Sequence, residues 1–229
     1  MKPLGTVLIT GGASGLGAAT VEAVLAEGGH PLVLDRATPT GTVDYVQADL
    51  TDRVATENAV RELVAVGGGR LDAVFTAAGI DCCGPFGDVP ADDWERVVQV
   101  NLLGTARVVR VALPYLEQSG GTVVTCSSTL GLKAVPDATA YCAAKFGVIG
   151  FTRALAAETA GRIGVTLLIP GGMHTAFFDG RDEQYKPPPD AKLNRPEDVA
   201  AAVVHALRQP PGCQLREMVV CSSEESSWP

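Results

Sequence analysis

Seven short runs rich in β-branched and apolar residues recur along the chain, and longer Ala-rich segments separate most of them. The runs are TVLIT (6–10), PLVLD (31–35), TVDYV (42–46), LDAVFTA (71–77), GTVVTCS (121–127), GVTLLIP (164–170) and EMVV (217–220). Most are apolar without strict alternation, as strands covered on both faces must be, and intervening helices favour parallel pairing. The expected fold class is therefore α/β, a doubly wound seven-stranded parallel sheet flanked by helices, with residues 1–229 forming a single domain. Helices are expected near 15–27, 52–66, 92–116, 139–160 and 196–208, with Asp92, Thr139 and Pro196 as start signals. One long irregular stretch, 171–195, contains Pro187, Pro188 and Pro189 and follows the sixth strand. It falls at the carboxyl edge of the sheet, where ligands bind in such folds, and is read as a substrate loop.

The first strand runs straight into TGGASGLG (10–17) and then a helical pattern. Glycine at 11, 15 and 17 permits a tight turn, close approach of a pyrophosphate to backbone N–H groups, and close packing of helix on strand. Gly11, Ser14, Gly15, Leu16 and Gly17 are therefore candidate dinucleotide contacts. The second strand ends at Asp35, 18 residues beyond Gly17, where a carboxylate accepts hydrogen bonds from an adenosine ribose and repels the extra phosphate of NADP. NAD is the expected cofactor, and NADP, paired with Arg36, the alternative. Asp49 and Leu50 suit the edge of an adenine pocket, although Asp49 also begins Asp-Leu-Thr-Asp, a helix-cap pattern.

The stretch YCAAK places Tyr141 and Lys145 one helical turn apart among Ala, Cys, Phe, Gly, Val and Ile. Residues four apart share a helix face, so the two address a common point. A free phenol ionises near pH 10, and service at neutral pH needs a shift of about 3 units, or roughly 4 kcal/mol. One cation about 4 Å away at an effective dielectric of about 20 supplies energy of that order, and an oxidised nicotinamide would add a second. Ser128, at the end of the fifth strand, is placed to hydrogen-bond a substrate oxygen, and Asn101 to hold a water that relays protons to Lys145. Taken singly, each has a plainer reading: a packed aromatic, a surface charge, a turn residue and a helix polar.

Eighteen basic against 26 acidic residues leave a net charge of −8, which repels phosphate backbones and acidic membrane surfaces, so no nucleic-acid partner is expected. The six cysteines show no C-x-x-C or Cys/His pattern, no apolar run is long enough for a secretion signal, and nothing spans a membrane. A cytoplasmic protein without a metal site is the expectation.

The turn TGGASGLG, the serine of TCSS, the YCAAK pair, NLLG from Asn101, and PGGMHT from Pro170 to Thr175 together resemble the short-chain dehydrogenase/reductase family in its ordinary-length form. That resemblance implies a Rossmann-type fold. It makes Tyr141 the acid/base, Lys145 the group that depresses its pKa and holds the nicotinamide ribose, Ser128 the residue orienting the carbonyl, and Asn101 the end of the proton relay. Pro170, Gly171 and Thr175 would line the nicotinamide end, and Asp72 matches the family's structural carboxylate. The chain departs from the family's Asn-Asn-Ala-Gly where it reads Ala77, Ala78, Gly79, which questions the hydrogen bonds between the central strands. The backbone there is still expected to pass over the adenosine.

Between Ala138 and Ala157 the only charged residues are Lys145 and Arg153, so this helix needs a partner on the face turned from the sheet. A homodimer or homotetramer is expected. His174 either touches substrate or stays solvated, and the tail with Trp228 either folds over a pocket or trails. The reading is an NAD-dependent oxidoreductase interconverting a small-molecule secondary alcohol and ketone. An NADP-preferring ketoreductase and a non-catalytic dinucleotide sensor are the alternatives.

Overall fold

The computed structural model describes residues 1–228. In chain order the elements are β1 (Thr6–Thr10), α1 (Gly15–Ala26), β2 (His30–Asp35), β3 (Asp44–Gln47), α2 (Arg53–Val66), β4 (Ala73–Thr76) and α3 (Ala91–Val98). They continue with α4 (Thr105–Ser119), β5 (Thr122–Cys126), α5 (Thr139–Glu158), β6 (Gly164–Pro170), α6 (Pro196–Leu207) and β7 (Glu217–Val220). The strands form one parallel sheet in the order β3-β2-β1-β4-β5-β6-β7. The order reverses between β1 and β4, and the loops leaving those two strands part there to open a crevice.

Every residue of β1, β4 and β5 is buried, whereas the edge strands β3 and β7 are partly exposed. Alternate side chains go to opposite faces, so Leu8, Val74 and Val123 pack with α2 and α4, while Val7, Ile9, Phe75 and Val124 pack with α6 and Val21 and Val24 of α1. Two apolar layers thus clamp the sheet and fix where its carboxyl ends point. Asp72, just before β4, accepts a hydrogen bond from Thr6 N at 3.0 Å and pairs with Arg70, the structural service the resemblance implies.

Three expectations change. The third strand begins two residues later than the apolar run suggests. The helix near 92–116 is not continuous: α3 and α4 are joined by a π-helical segment, Gln99–Gly104, in which Asn101 is buried. Asp92 does not start α3. Pro90 precedes its first residue, and Asp92 and Asp93 lie in the first turn, where negative charge favours the amino end of a helix.

Candidate active site

At the crevice the two central strands meet through backbone. Gly11 has φ +73°, and a Cβ there would lie 2.7 Å from Ala78 Cα; one on Gly17 would lie 2.0 Å from the Gly11 carbonyl oxygen. Thr10 supplies the ties: its carbonyl accepts from Ala77 N and its hydroxyl from Ala78 N, both at 3.2 Å. The missing asparagines therefore do not leave these loops unbonded, because small residues let the backbone itself bridge. Ser14, just before α1, makes no side-chain cap bond, and the first turn carries no acidic residue. The orphan N–H groups at that helix end suit an anion.

A cleft of about 770 Å³ runs from this turn along the carboxyl edge, and every residue expected to contact a coenzyme borders it. Asp35 Oδ2 accepts from Ala13 N and Oδ1 from Ala37 N, each at 2.9 Å. Asp49 accepts from Thr51 N at 2.9 Å and from Arg96 at 2.7 Å. Burial opposes ionisation of Asp49, but the Thr51 donors and the Arg96 guanidinium hold its carboxyl below the ordinary carboxylate value. Arg96, at the same end of the cleft, was not legible as a site residue, since nothing in its spacing marks it.

Toward the other end, Tyr141 and Lys145 project from α5, 9% and 4% exposed. Lys145 Nζ donates to the Cys126 carbonyl at 3.0 Å and stands over the Tyr141 ring, 5.4 Å from its centroid. Ser127 Oγ donates to the Lys145 carbonyl at 2.9 Å, locking α5 to the end of β5. Ser128 turns its hydroxyl to the cleft and accepts from Leu130 N at 3.1 Å. Asn101 does not border the cleft. Its amide clamps Ile80, Nδ2 donating to the Ile80 carbonyl at 2.7 Å and Oδ1 accepting from Ile80 N at 2.9 Å, while its carbonyl accepts from Thr105 Oγ1. The Asn101 side chain is thereby a brace on the loop after β4.

The electrostatics reverse one expectation. Burial raises the Tyr141 phenol above its ordinary value, Cys126 and Asp81 add to the rise, and the Ser128 hydrogen bond and the Arg181 charge offset it in part. Burial lowers Lys145, opposed by Cys126 and Asp81. The apolar enclosure that was to focus the ammonium's field penalises both charged forms more strongly.

The irregular stretch 171–195 closes one side. Arg181 forms an ion pair with Asp81 at 2.8 Å, the two side chains 17% and 4% exposed, and its guanidinium lies 5.0 Å and 4.8 Å from the ring centroids of Phe177 and Phe178. Phe177 in turn packs against Tyr141 at 5.7 Å between centroids. Tyr185 donates to Asp137, which has φ +59°. His174 is exposed, and Thr175 caps a short turn through Phe177 N. Among the described residues, no group of three His, Cys, Asp or Glu side chains is arranged to hold a metal, and no helix is long and apolar enough to cross a membrane.

Residues 5–186 match the family model for short chain dehydrogenases. The chain belongs to the short-chain dehydrogenase/reductase family. It is 32% identical over 216 residues to 3-oxoacyl-(acyl-carrier-protein) reductase FabG of Thermotoga maritima, covering 86% of this chain and 87% of that protein. It is 34% identical over 183 residues to 2-dehydro-3-deoxy-L-rhamnonate dehydrogenase (NAD(+)) of a Sphingomonas species, covering 75% and 73%. The fold is similar to that of ligand-free aldohexose dehydrogenase from Thermoplasma acidophilum, with a TM-score of 0.85, 23% identity, and 94% and 92% of the two chains covered. Members of this oxidoreductase family act on CH–OH groups with nicotinamide dinucleotides, and the turn, the bare helix end and the ribose-side carboxylate fit such a group. Within this family member the buried ammonium is a liability to the fold. Replacing Lys145 with Met is expected to raise stability by about 1 kcal/mol; urea unfolding of the two proteins checks this, and a destabilised variant would contradict it.

Proposed function

We propose that residues 1–229 form one catalytic unit, an NAD-dependent oxidoreductase interconverting a secondary alcohol and a ketone, with Tyr141 as the general acid/base. The observation that carries this reading is the burial of Tyr141 and Lys145 on one face of α5, beside the Ser128 hydroxyl, in the cleft that begins at the Gly11 turn. A bound nicotinamide dinucleotide supplies the hydride chemistry. Ser128 orients the substrate oxygen, and the Tyr141 hydroxyl gives it a proton in reduction and takes one in oxidation. Lys145, fixed by the Cys126 carbonyl, sets a cation against the phenol ring and binds the ribose of the cofactor. A dinucleotide sensor has no use for a buried ammonium that weakens the fold.

The raised phenol gives the pH dependence its sign. Ketone reduction needs the protonated form, present through neutral pH and lost only as pH rises through the elevated value. Alcohol oxidation needs the phenolate and climbs over the same range. The kcat/KM for oxidation is expected to be still rising at about pH 9, and a plateau reached by neutrality would contradict the assignment. Tyr141→Phe is expected to lower kcat by about 1,000-fold or more with NADH binding, followed by fluorescence, nearly unchanged.

NAD is favoured over NADP by Asp35, whose negative charge lies at the end of β2 in the cleft. The Sphingomonas relative, named for NAD(+), supports the same choice. Arg36, exposed beside it, supports the NADP reading. The ratio of kcat/KM values is expected to favour NAD by about tenfold or more and to collapse in Asp35→Ser; a clear preference for NADP decides for the alternative. All six cysteines are free, which suits the reducing cytoplasm.

A second copy of the chain is the proposed cover for the outer face of α5. There Ala143, Phe146, Gly150 and Ala154 are exposed at helical spacing, Phe146 at 45%, and Leu103 of the π-helical segment is exposed at 42%. Light scattering at micromolar concentration should give a mass of two or four chains. A 23.7 kDa species would remove the proposal.

A further inference from the structure

The residues after β7 do not trail from the sheet. Glu225 Oε2 accepts a hydrogen bond from Gly172 N at 2.9 Å, and Oε1 accepts from Ser227 N at 3.1 Å and Ser227 Oγ at 2.6 Å. The Ser227 hydroxyl lies 2.6 Å from Thr129 Oγ1, next in sequence to Ser128, and Lys133 Nζ donates to the Ser226 carbonyl at 3.1 Å. The tail is therefore tied to both the loop after β6 and the loop after β5, and it crosses the carboxyl edge between them. Glu225, Ser226 and Ser227 border the same cleft as Ser128 and Tyr141. The docking is close: a Cβ on Gly171 would lie 2.2 Å from Glu225 Oε2. Gly171 has no positive φ, so its missing side chain serves close approach and not backbone freedom. Burial opposes the Glu225 charge, but the donors from Ser227 and Gly172 hold its carboxyl below the ordinary value, and it remains an anion at neutral pH. An ionised acceptor strengthens each of these bonds.

We propose that Glu225–Ser227 form a wall of the substrate pocket that limits substrate length, with Glu225 as the residue that fixes it. The proposal rests on the oxidoreductase reading. The substrates it selects are free, small secondary alcohols and ketones, and long acyl chains are excluded by the tail lying across the edge. Removing residues 224–229, or replacing Glu225 with Ala, takes away the wall or its anchor without touching Ser128, Tyr141, Lys145 or the Gly11 turn.

The experiment measures dissociation constants of methyl ketones of increasing chain length, from four to ten carbons, for the protein–NADH complex by nucleotide fluorescence. It compares the full chain, the truncated chain and Glu225→Ala, with circular dichroism to confirm that each is folded. The full chain should bind short ketones and lose affinity as the chain lengthens. Both variants should bind the ten-carbon ketone about tenfold tighter or more than the full chain does, with NADH affinity unchanged. The same length profile in all three proteins, including uniformly weak binding, overturns the wall. Failure of the full chain to bind NADH at all is a different result: it overturns the oxidoreductase reading and removes the wall's role with it. Should the truncated chain be unfolded, Glu225→Ala alone decides between the two profiles.

Discussion

Gly11 and Ala78 come close enough that a single added methyl would separate them, and the site is organised around that approach. The strand order reverses between β1 and β4, so two loops must diverge from neighbouring parallel strands while their backbones stay bonded. Thr10 does this with its carbonyl and its hydroxyl together. With the crevice held at that width, α1 delivers its amino end to one side, and β5 and β6 deliver Ser128 and Pro170 to the other. The seam admits no side chain at Gly11, because a Cβ there would meet the Ala78 backbone.

The second organising tension is burial of charge. An ammonium and a phenol are placed where each ionises less readily than in water, and the fold answers with hydrogen bonds: the Cys126 carbonyl for Lys145, and Ser128 acting on Tyr141. Asp81 and Arg181 repeat the pattern beside Tyr141, where one guanidinium nitrogen pairs with the carboxylate, Nε stays without a partner among the described residues, and two phenyl rings cover the guanidinium. Such pairs are conditional on their partners, so this half of the molecule carries specificity in geometry at the expense of stability.

Much of this was legible from the order of residues. Buried parallel strands have an unalternating apolar signature, a dinucleotide turn has glycines at fixed spacing, and a Tyr–Lys pair four apart has only one relation on a helix. What escaped reading has physical reasons. The π-helical segment is defined by a hydrogen-bond shift that leaves no mark in hydropathy, so the clamp of Asn101 on Ile80 was not legible. Arg181 and Asp81 are 100 residues apart and Glu225 and Gly172 are 53 apart, distances over which no periodicity operates. The sign of the Tyr141 shift depended on how completely the helix face is covered, which composition alone could not supply.

Asp35 holds two backbone amides, those of Ala13 and Ala37, in addition to bordering the cleft. One carboxylate thus both borders the cleft and staples the glycine bend to the end of β2. A substitution here could not simply discard that charge, because the bend would lose its anchor at the same moment. Such a change needs a neutral acceptor able to keep the Ala13 amide in place, so position 35 is constrained by the bend itself, whatever the cleft takes up.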